Sequence, residues 1–414
     1  MALLGIRNRL RARGIAISEQ IRPAGGDAPS VWGIHDDIGN GRPSGCGYYR
    51  IVLPLDQLAA HGWDAGYRKT DLPDISRYRL IVTQSFKPEA LEHWQGLRAR
   101  HKLIFEIDDN VFHIDPRNWL AYGMYNRPGG LDAVRRAAGI ADLVTVTTET
   151  LAEVMRDYTA NVAVLPNCIP GWVTDTPRIP RPRPAVGWQG SYSHGGDISL
   201  VIEPVRRFLD RFAGWDLRLV GTDYRADFNA PADRMIYSYW TMIGADPHGF
   251  YTSMDYDIGL IPLRDNAFNQ AKSPLKVLEH MARGIPVIAS DMPVYREVIT
   301  DGVNGFLIRD DREWLERMSE LAADDRLRGK MSAAARESAR AWTIERGWTK
   351  WAAAYTGLLR KLTRREPVRP GPRFAGRRAR PRRVVVRAVR RHGHRAGDPR
   401  RSVGRRGKRR REPR

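Results

Sequence analysis

Short apolar runs alternate with helix-periodic segments through residues 31–170, and after a proline-rich break the same alternation starts again at Ala185. In the first stretch VWGIH, YRLIVTQS, KLIFEIDD, DLVTVTT and NVAVLPN read as strands. Between them YYRIVLPLDQLAAHG, PEALEHWQGLRAR, LDAVRRAAGIA and TETLAEVMRDY read as helices; Leu55, Leu58 and Ala59 keep helical spacing, and Gly62 ends the first of these. After the break AVGWQGS, DLRLVG, YDIGLIPL and IPVIAS are the expected strands. Strands separated by helices pair in parallel, with helices on both faces. Two such stretches predict two α/β halves, with a ligand cleft at the C-terminal ends of the strands. Pro removes backbone donors, so IPGWVTDTPRIPRPRP reads as a linker.

The expected organisation is an N-terminal extension at 1–30, a first Rossmann-like domain at 31–169 and a linker at 170–183. A second such domain follows at 184–340, then a crossover helix at 341–362 and a basic tail at 363–414. Trp342, Trp348 and Trp351 are the apolar anchors expected to seat that helix on the first half. The formal net charge of +21 belongs to the tail. From Lys361 onward 23 Lys and Arg face three Asp and Glu, whereas the preceding 360 residues carry 45 against 44. The neutral body shows no extra basic stripe, so a nucleic-acid reading rests on the tail. Arg, Pro and Gly with few apolar residues predict disorder there. The partner expected for that segment is nucleic acid or an anionic membrane face.

Cys46 and Cys168 fall in separate segments, with neither a disulfide framework nor metal-ligand spacing. No metal and no resident cofactor is expected. Two cysteines and the lack of an apolar run of about 18 residues suit a cytoplasmic chain. The basic N-terminus, MALLGIRNRLRARGIAI, allows peripheral contact with a membrane.

The segment richest in chemistry is NQAKSPLKVLEHMARGIPVIASD, from Asn269 to Asp291. Ser273 suits an N-cap and Pro274 the first helical position, so a helix opens just after Lys272. Free amides and the positive helix end favour an anion there. Leu275, Leu278, Glu279 and Ala282 share one face, which puts a carboxylate on an apolar stripe. Such a group needs a partner. Vicinal hydroxyls of a ligand would supply one, and a neighbouring Arg is the structural alternative. An anion at the helix start and a diol further along suit a nucleotide diphosphate and its ribose.

This segment, with DGVNGFLI at 301–308, resembles the donor-binding region of retaining GT-B glycosyltransferases of family 4, the glycosyl transferases group 1. The family helix carries two glutamates separated by seven residues. The resemblance gives Glu279 the ribose contact and puts Ala271 where the sugar-contacting glutamate stands. It implies diphosphate roles for Lys272, Ser273 and Lys276. The likeness continues in Gly45, Gly47, Tyr48, Tyr49 and Arg50, in Glu106, Asp108 and Asp109, and in Pro166 and Asn167. It extends to Gly187, Gly190, Ser191 and His194 at the start of the second half.

Of these, Gly45, Gly47, Tyr48 and Arg50 are expected on a cleft loop, and Gly190 and Ser191 beside the donor. Asp108 and Asp109, at a strand end, are candidates for positioning an acceptor hydroxyl, with a structural cap as the alternative. His194 is a candidate donor to phosphate or to the leaving group. Asp255 and Asp257 read as turn residues. The expected activity is glycosyl transfer from a nucleotide diphosphate sugar to a hydroxyl acceptor, with retention. Glycan, lipid, protein or modified DNA could serve as acceptor. A nucleotide-sugar epimerase or a phosphorylase on the same fold, and a nucleic-acid-binding protein acting through the tail, are the alternatives.

Overall fold

The computed structural model describes residues 28–35, 43–68, 75–84, 91–239 and 241–363. The expectations for the N-terminal 27 residues and for the basic tail lie outside these. Two six-stranded, all-parallel sheets carry the fold. The first holds β1 (Ser30–Ile34), β2 (Asp64–Arg68), β3 (Leu80–Thr83), β4 (Lys102–Glu106), β5 (Leu143–Val146) and β6 (Val162–Val164), in the order β2-β1-β3-β4-β5-β6. The second holds β7 (Ala185–Gly190), β8 (Asp216–Gly221), β9 (Met235–Tyr239), β10 (Ile258–Ile261), β11 (Val287–Ser290) and β12 (Gly305–Ile308), in the order β12-β11-β10-β7-β8-β9. Each order reverses at its first strand, between β2 and β3 around β1 and between β10 and β8 around β7. Chain emerging from such a strand borders a crevice, which is where an open α/β sheet binds ligands.

Helix α1 leaves the first crevice. It starts as Gly45–Gly47, widens into a π-helical turn at Tyr48–Val52 and finishes as Leu53–Ala60. All five residues of the π turn are buried. Helix α2 (Leu275–Ala282) lies in the second half between β10 and β11. Gly284 adopts φ +66° just beyond it, the left-handed conformation that ends a helix.

Besides contacts across the cleft, the linker, the C-terminal helix and one loop join the two halves. The linker is pinned to the second half: Arg178 and Arg181 both reach Asp257, so this aspartate anchors the linker instead of merely shaping a turn. The first half's last segment meets the approach to helix α3 (Ile344–Thr363): the Ile169 amide donates to the Trp342 carbonyl at 3.0 Å, and the Ile344 amide to the Ile169 carbonyl at 2.8 Å. Helix α3 then lies along α1 of the first half. Trp351 is fully buried, with the Arg50 guanidinium 5.5 Å from its ring centre. Trp348 stacks on His61 at 3.8 Å, while Trp342 is only partly buried against the same core. The third junction is a loop of the second half. Phe268 and Ala271 belong to the first half's apolar core, and the Thr148 hydroxyl donates to the Ala271 carbonyl at 2.9 Å.

If α3 clamps the two halves, emptying its anchor site is costly. Trp351→Ala is expected to lower the unfolding free energy by about 3–5 kcal/mol, and Trp348→Ala by clearly less because its ring is only partly buried. Urea unfolding of both variants checks this order, and equal losses would contradict it.

Candidate nucleotide-sugar site

A cleft of about 230 Å³ lies between the halves. Its first-half wall includes Gly45, Cys46, Tyr49, Asp108, Asp109 and Asn167. The second half contributes Gln189, Gly190 and Ser191 from the end of β7, Ile261 to Leu263 from the end of β10, and Lys272, Ser273, Leu275, Lys276 and Glu279 around the start of α2. Both switch-point strands therefore open into one space.

Helix α2 begins at Leu275, with Pro274 rather than Ser273 as its cap. Pro274 has no amide hydrogen, and the Leu278 amide already bonds its carbonyl. The Ser273 hydroxyl is thus not used as a cap. It accepts from the Asn167 side-chain amide at 2.8 Å. Lys272 reaches across the cleft to Asp109 at 3.1 Å and lies 4.4 Å from the Phe268 ring centre. Burial opposes its charge, but Asp109, Asp108 and Asp197 outweigh that and hold its pKa above the ordinary value.

Lys276 donates to the Gln189 carbonyl at 2.9 Å. Gly190 makes the approach possible, since a β-carbon there would sit 2.4 Å from Trp188 and 3.2 Å from the ammonium. Burial brings the Lys276 pKa down to about 8. Glu279 is buried one turn further on and accepts from the Tyr49 hydroxyl at 2.6 Å. Tyr49 is also 2.7 Å from the Tyr251 hydroxyl. Burial raises the Glu279 pKa to about 7, against the pull of Tyr49 and Lys276. Its partner in this structure is a tyrosine from the opposite half, not an arginine.

His194 borders the cleft beside Lys272 and Lys276. Burial and these two cations lower its pKa to about 4, so the ring is neutral at ordinary pH. Its Nδ1 is 3.1 Å from Oδ2 of Asp197. The other Asp197 oxygen accepts from the Arg264 amide and the Asn269 side chain. Asp197 is held ionised, its pKa below the usual carboxylate range, because the His194 and Arg264 bonds outweigh its burial. The Nδ1 must therefore carry the proton, which leaves Nε2 as an acceptor. The expectation of a donor to phosphate does not fit this tautomer.

Three residues expected on the cleft loop lie elsewhere. Tyr48 and Arg50 are buried and do not line the cleft, because the π turn directs them inward. Gly47 is buried with them, and its amide donates to the Ser44 hydroxyl. Glu106 is sealed beneath the site with Arg50. Gly45, Asp108, Asp109, Gly190, Ser191, His194, Lys272, Ser273, Lys276 and Glu279 do border the cleft. The sequence motif includes Tyr49 but gave it no place in the cleft, and Gln189 carried no sequence signal. Tyr49 sits beside Tyr48 in the same motif, and only its place on the π turn separates them. Among the described residues no group of three or more His, Cys, Asp or Glu is placed to hold a metal ion.

Residues 183–324 match the family model described as Glycosyl transferases group 1. A D-inositol 3-phosphate glycosyltransferase of Xylanimonas cellulosilytica is 32% identical over 115 residues, 27% of this chain. That match spans only 25% of the relative's length. The fold resembles the sucrose-phosphate synthase of Thermosynechococcus elongatus, with a TM-score of 0.56 and 14% identity over 80% of this chain and 100% of that one. It also resembles Anabaena HepE in complex with UDP-glucose, with a TM-score of 0.57 and 12% identity over 81% and 99% of the two chains. A glycosyltransferase of Rickettsia africae gives 0.56 and 12%, over 80% and 99%. These likenesses establish the two-domain GT-B fold.

The burial of Glu279 has a consequence for stability. An exposed glutamate ionises near 4.5, but this one keeps its proton to about 7 in the folded chain. The folded state binds the extra proton between those values, so stability from this residue is present at low pH and lost as pH rises through the window. Glu279→Gln keeps the neutral form throughout. Its Tm relative to wild type is expected to be higher at pH 8 than at pH 5. Differential scanning fluorimetry at the two pH values measures this, and a relative Tm that is the same at both would rule it out.

Proposed function

We propose that this chain, whose second half carries a group 1 glycosyltransferase domain, transfers a glycosyl group from a nucleotide diphosphate sugar to a hydroxyl acceptor. One observation carries the reading: a lysine and a hydroxyl at the start of α2 share a cleft wall with a buried carboxylate one turn along. The helix start, Lys272, Ser273 and Lys276 suit a diphosphate, and Glu279 suits the ribose hydroxyls. Tyr49 holds the Glu279 carboxylate, so ribose binding shares or displaces that bond.

As the bond to the sugar breaks, negative charge grows on the departing diphosphate. Fixed donors at Lys272, Ser273 and the helix start stabilise that charge more than the ground state, which is what lowers a barrier. Asp108 and Asp109 face them from the first half and suit an acceptor hydroxyl. Neutral His194, with Nε2 as an acceptor, suits a hydroxyl of either substrate. Retention of configuration is the stereochemistry that the family 4 resemblance supports. The nucleotide sugar is a co-substrate in this reading, with no resident cofactor and no metal. The acceptor class stays open among glycan, lipid, protein and modified DNA. We place the reaction in the cytoplasm or at its membrane face. No described helix is long and apolar enough to cross a membrane.

A thermal-shift screen against UDP-, GDP-, ADP- and TDP-sugars tests the reading, with UDP-glucose first because HepE was crystallised with it. A ligand at 100 times its Kd adds about 2.7 kcal/mol. No shift with any of them would sink the proposal. Lys272→Ala and Glu279→Gln are each expected to weaken donor binding by roughly ten- to a hundredfold, the worth of a hydrogen bond to a charged group. Calorimetric titration between pH 6 and 9 adds a sign. Affinity should fall on the acid side as Glu279 takes a proton near 7, and on the alkaline side as Lys276 loses one near 8.

A further inference from the structure

We infer that Asn167 is a positioning residue that aims the Ser273 proton into the cleft, set in that orientation by the buried Arg50–Glu106 pair. The inference rests on the diphosphate reading of the α2 start and adds to it a role for a first-half residue that the Pro166–Asn167 motif names without giving it one.

Arg50 is 1% exposed. Its guanidinium makes five bonds. Nε and Nη2 reach the two Glu106 oxygens at 2.7 and 3.0 Å. Nη2 also points at the Val146 carbonyl, and Nη1 at the Leu165 carbonyl. The fifth bond runs from Nη1 to Oδ1 of Asn167 at 3.1 Å. Arginine can only donate, so the Asn167 atom that faces it must be the oxygen. The amide of Asn167 therefore cannot flip, and its nitrogen points the other way.

That nitrogen meets the Ser273 hydroxyl at 2.8 Å. An amide nitrogen can only donate, so Ser273 oxygen must accept. A serine hydroxyl has a single proton, and here it is left for another partner. Ser273 borders the cleft just before Pro274, which has no amide hydrogen to offer an anion. The hydroxyl supplies a donor where the backbone has none. Donation thus runs in one direction from Arg50 through Asn167 to Ser273 and on to a bound diphosphate, while Glu106 accepts from the same guanidinium and fixes its plane.

The test is a double-mutant cycle on nucleotide affinity, with UDP, GDP, ADP and TDP titrated by calorimetry into the full chain. Asn167→Asp keeps the size but presents an oxygen to Ser273, which then turns its proton toward the aspartate. Asn167→Ala leaves the hydroxyl free to rotate. Asn167→Asp is expected to lose at least tenfold in affinity for the nucleotide that binds tightest, and Asn167→Ala about threefold. In a Ser273→Ala background the Asn167→Asp change should cost less than twofold, because the proton that it misdirects is gone. A purely structural role, or simple repulsion of the anion, would cost as much in that background as in wild type, and this result overturns the proposal. A retained Tm for Asn167→Ala separates the effect from unfolding. If Ser273→Ala binds like wild type, or no nucleotide binds at all, the diphosphate site itself is misplaced and the relay falls with it. Weaker binding by Ser273→Ala with wild-type binding by Asn167→Asp overturns the relay alone.

Discussion

The buried Arg50–Glu106 pair ties together more of the molecule than any other contact described here. It joins α1 to the end of β4, reaches the carbonyls of Val146 at the end of β5 and of Leu165 just after β6, and lies beneath Trp351 of α3. Taking two charges out of water is costly, and only good geometry with satisfied partners offsets it. Here the guanidinium is satisfied, and the Thr145 hydroxyl adds a bond to Glu106. Even so, burial holds the Glu106 pKa up at about 7. The pair therefore specifies a geometry more than it adds stability. It fixes where α1 leaves the first sheet, and so where Tyr49 enters the cleft.

Much of the fold was legible because buried parallel strands leave continuous apolar runs. The nine strands expected from such runs all form. The three that escaped notice, β2, β9 and β12, lie at sheet edges. DAGYR and MIYSY have one partner strand each and mix polar residues with apolar ones, so no apolar run marks them. GFLI is buried, but it has only three apolar residues after a glycine.

The site was legible where one local pattern held all the information. Glu279 stands out through helix spacing, and Lys272 and Ser273 through the helix-start signal before Leu275. Tyr49 and Asn167 act through partners 230 and 106 residues away, and spacing within a segment carries no trace of such pairs. The π turn hid the rest. A single widened turn rotates Tyr48 and Arg50 inward while Tyr49 meets the cleft, and a regular helical reading misplaces them. His194 was visible, but its tautomer depends on Asp197, whose other oxygen is held by the Arg264 amide and the Asn269 side chain.

The loop of Phe268 and Ala271 links the nucleotide side of the cleft to the first half's apolar core. The same loop carries Lys272, whose ion pair with Asp109 spans the gap. These two contacts answer to different variables. Salt screens the ion pair, which is partly exposed, but scarcely affects the seating of an aromatic ring. Cooling weakens apolar contact, because its driving force near room temperature is mainly entropic. Separation of the halves is therefore governed by heat capacity as much as by ionic strength. A cleft built this way holds together through changes of salt, and loosens in the cold.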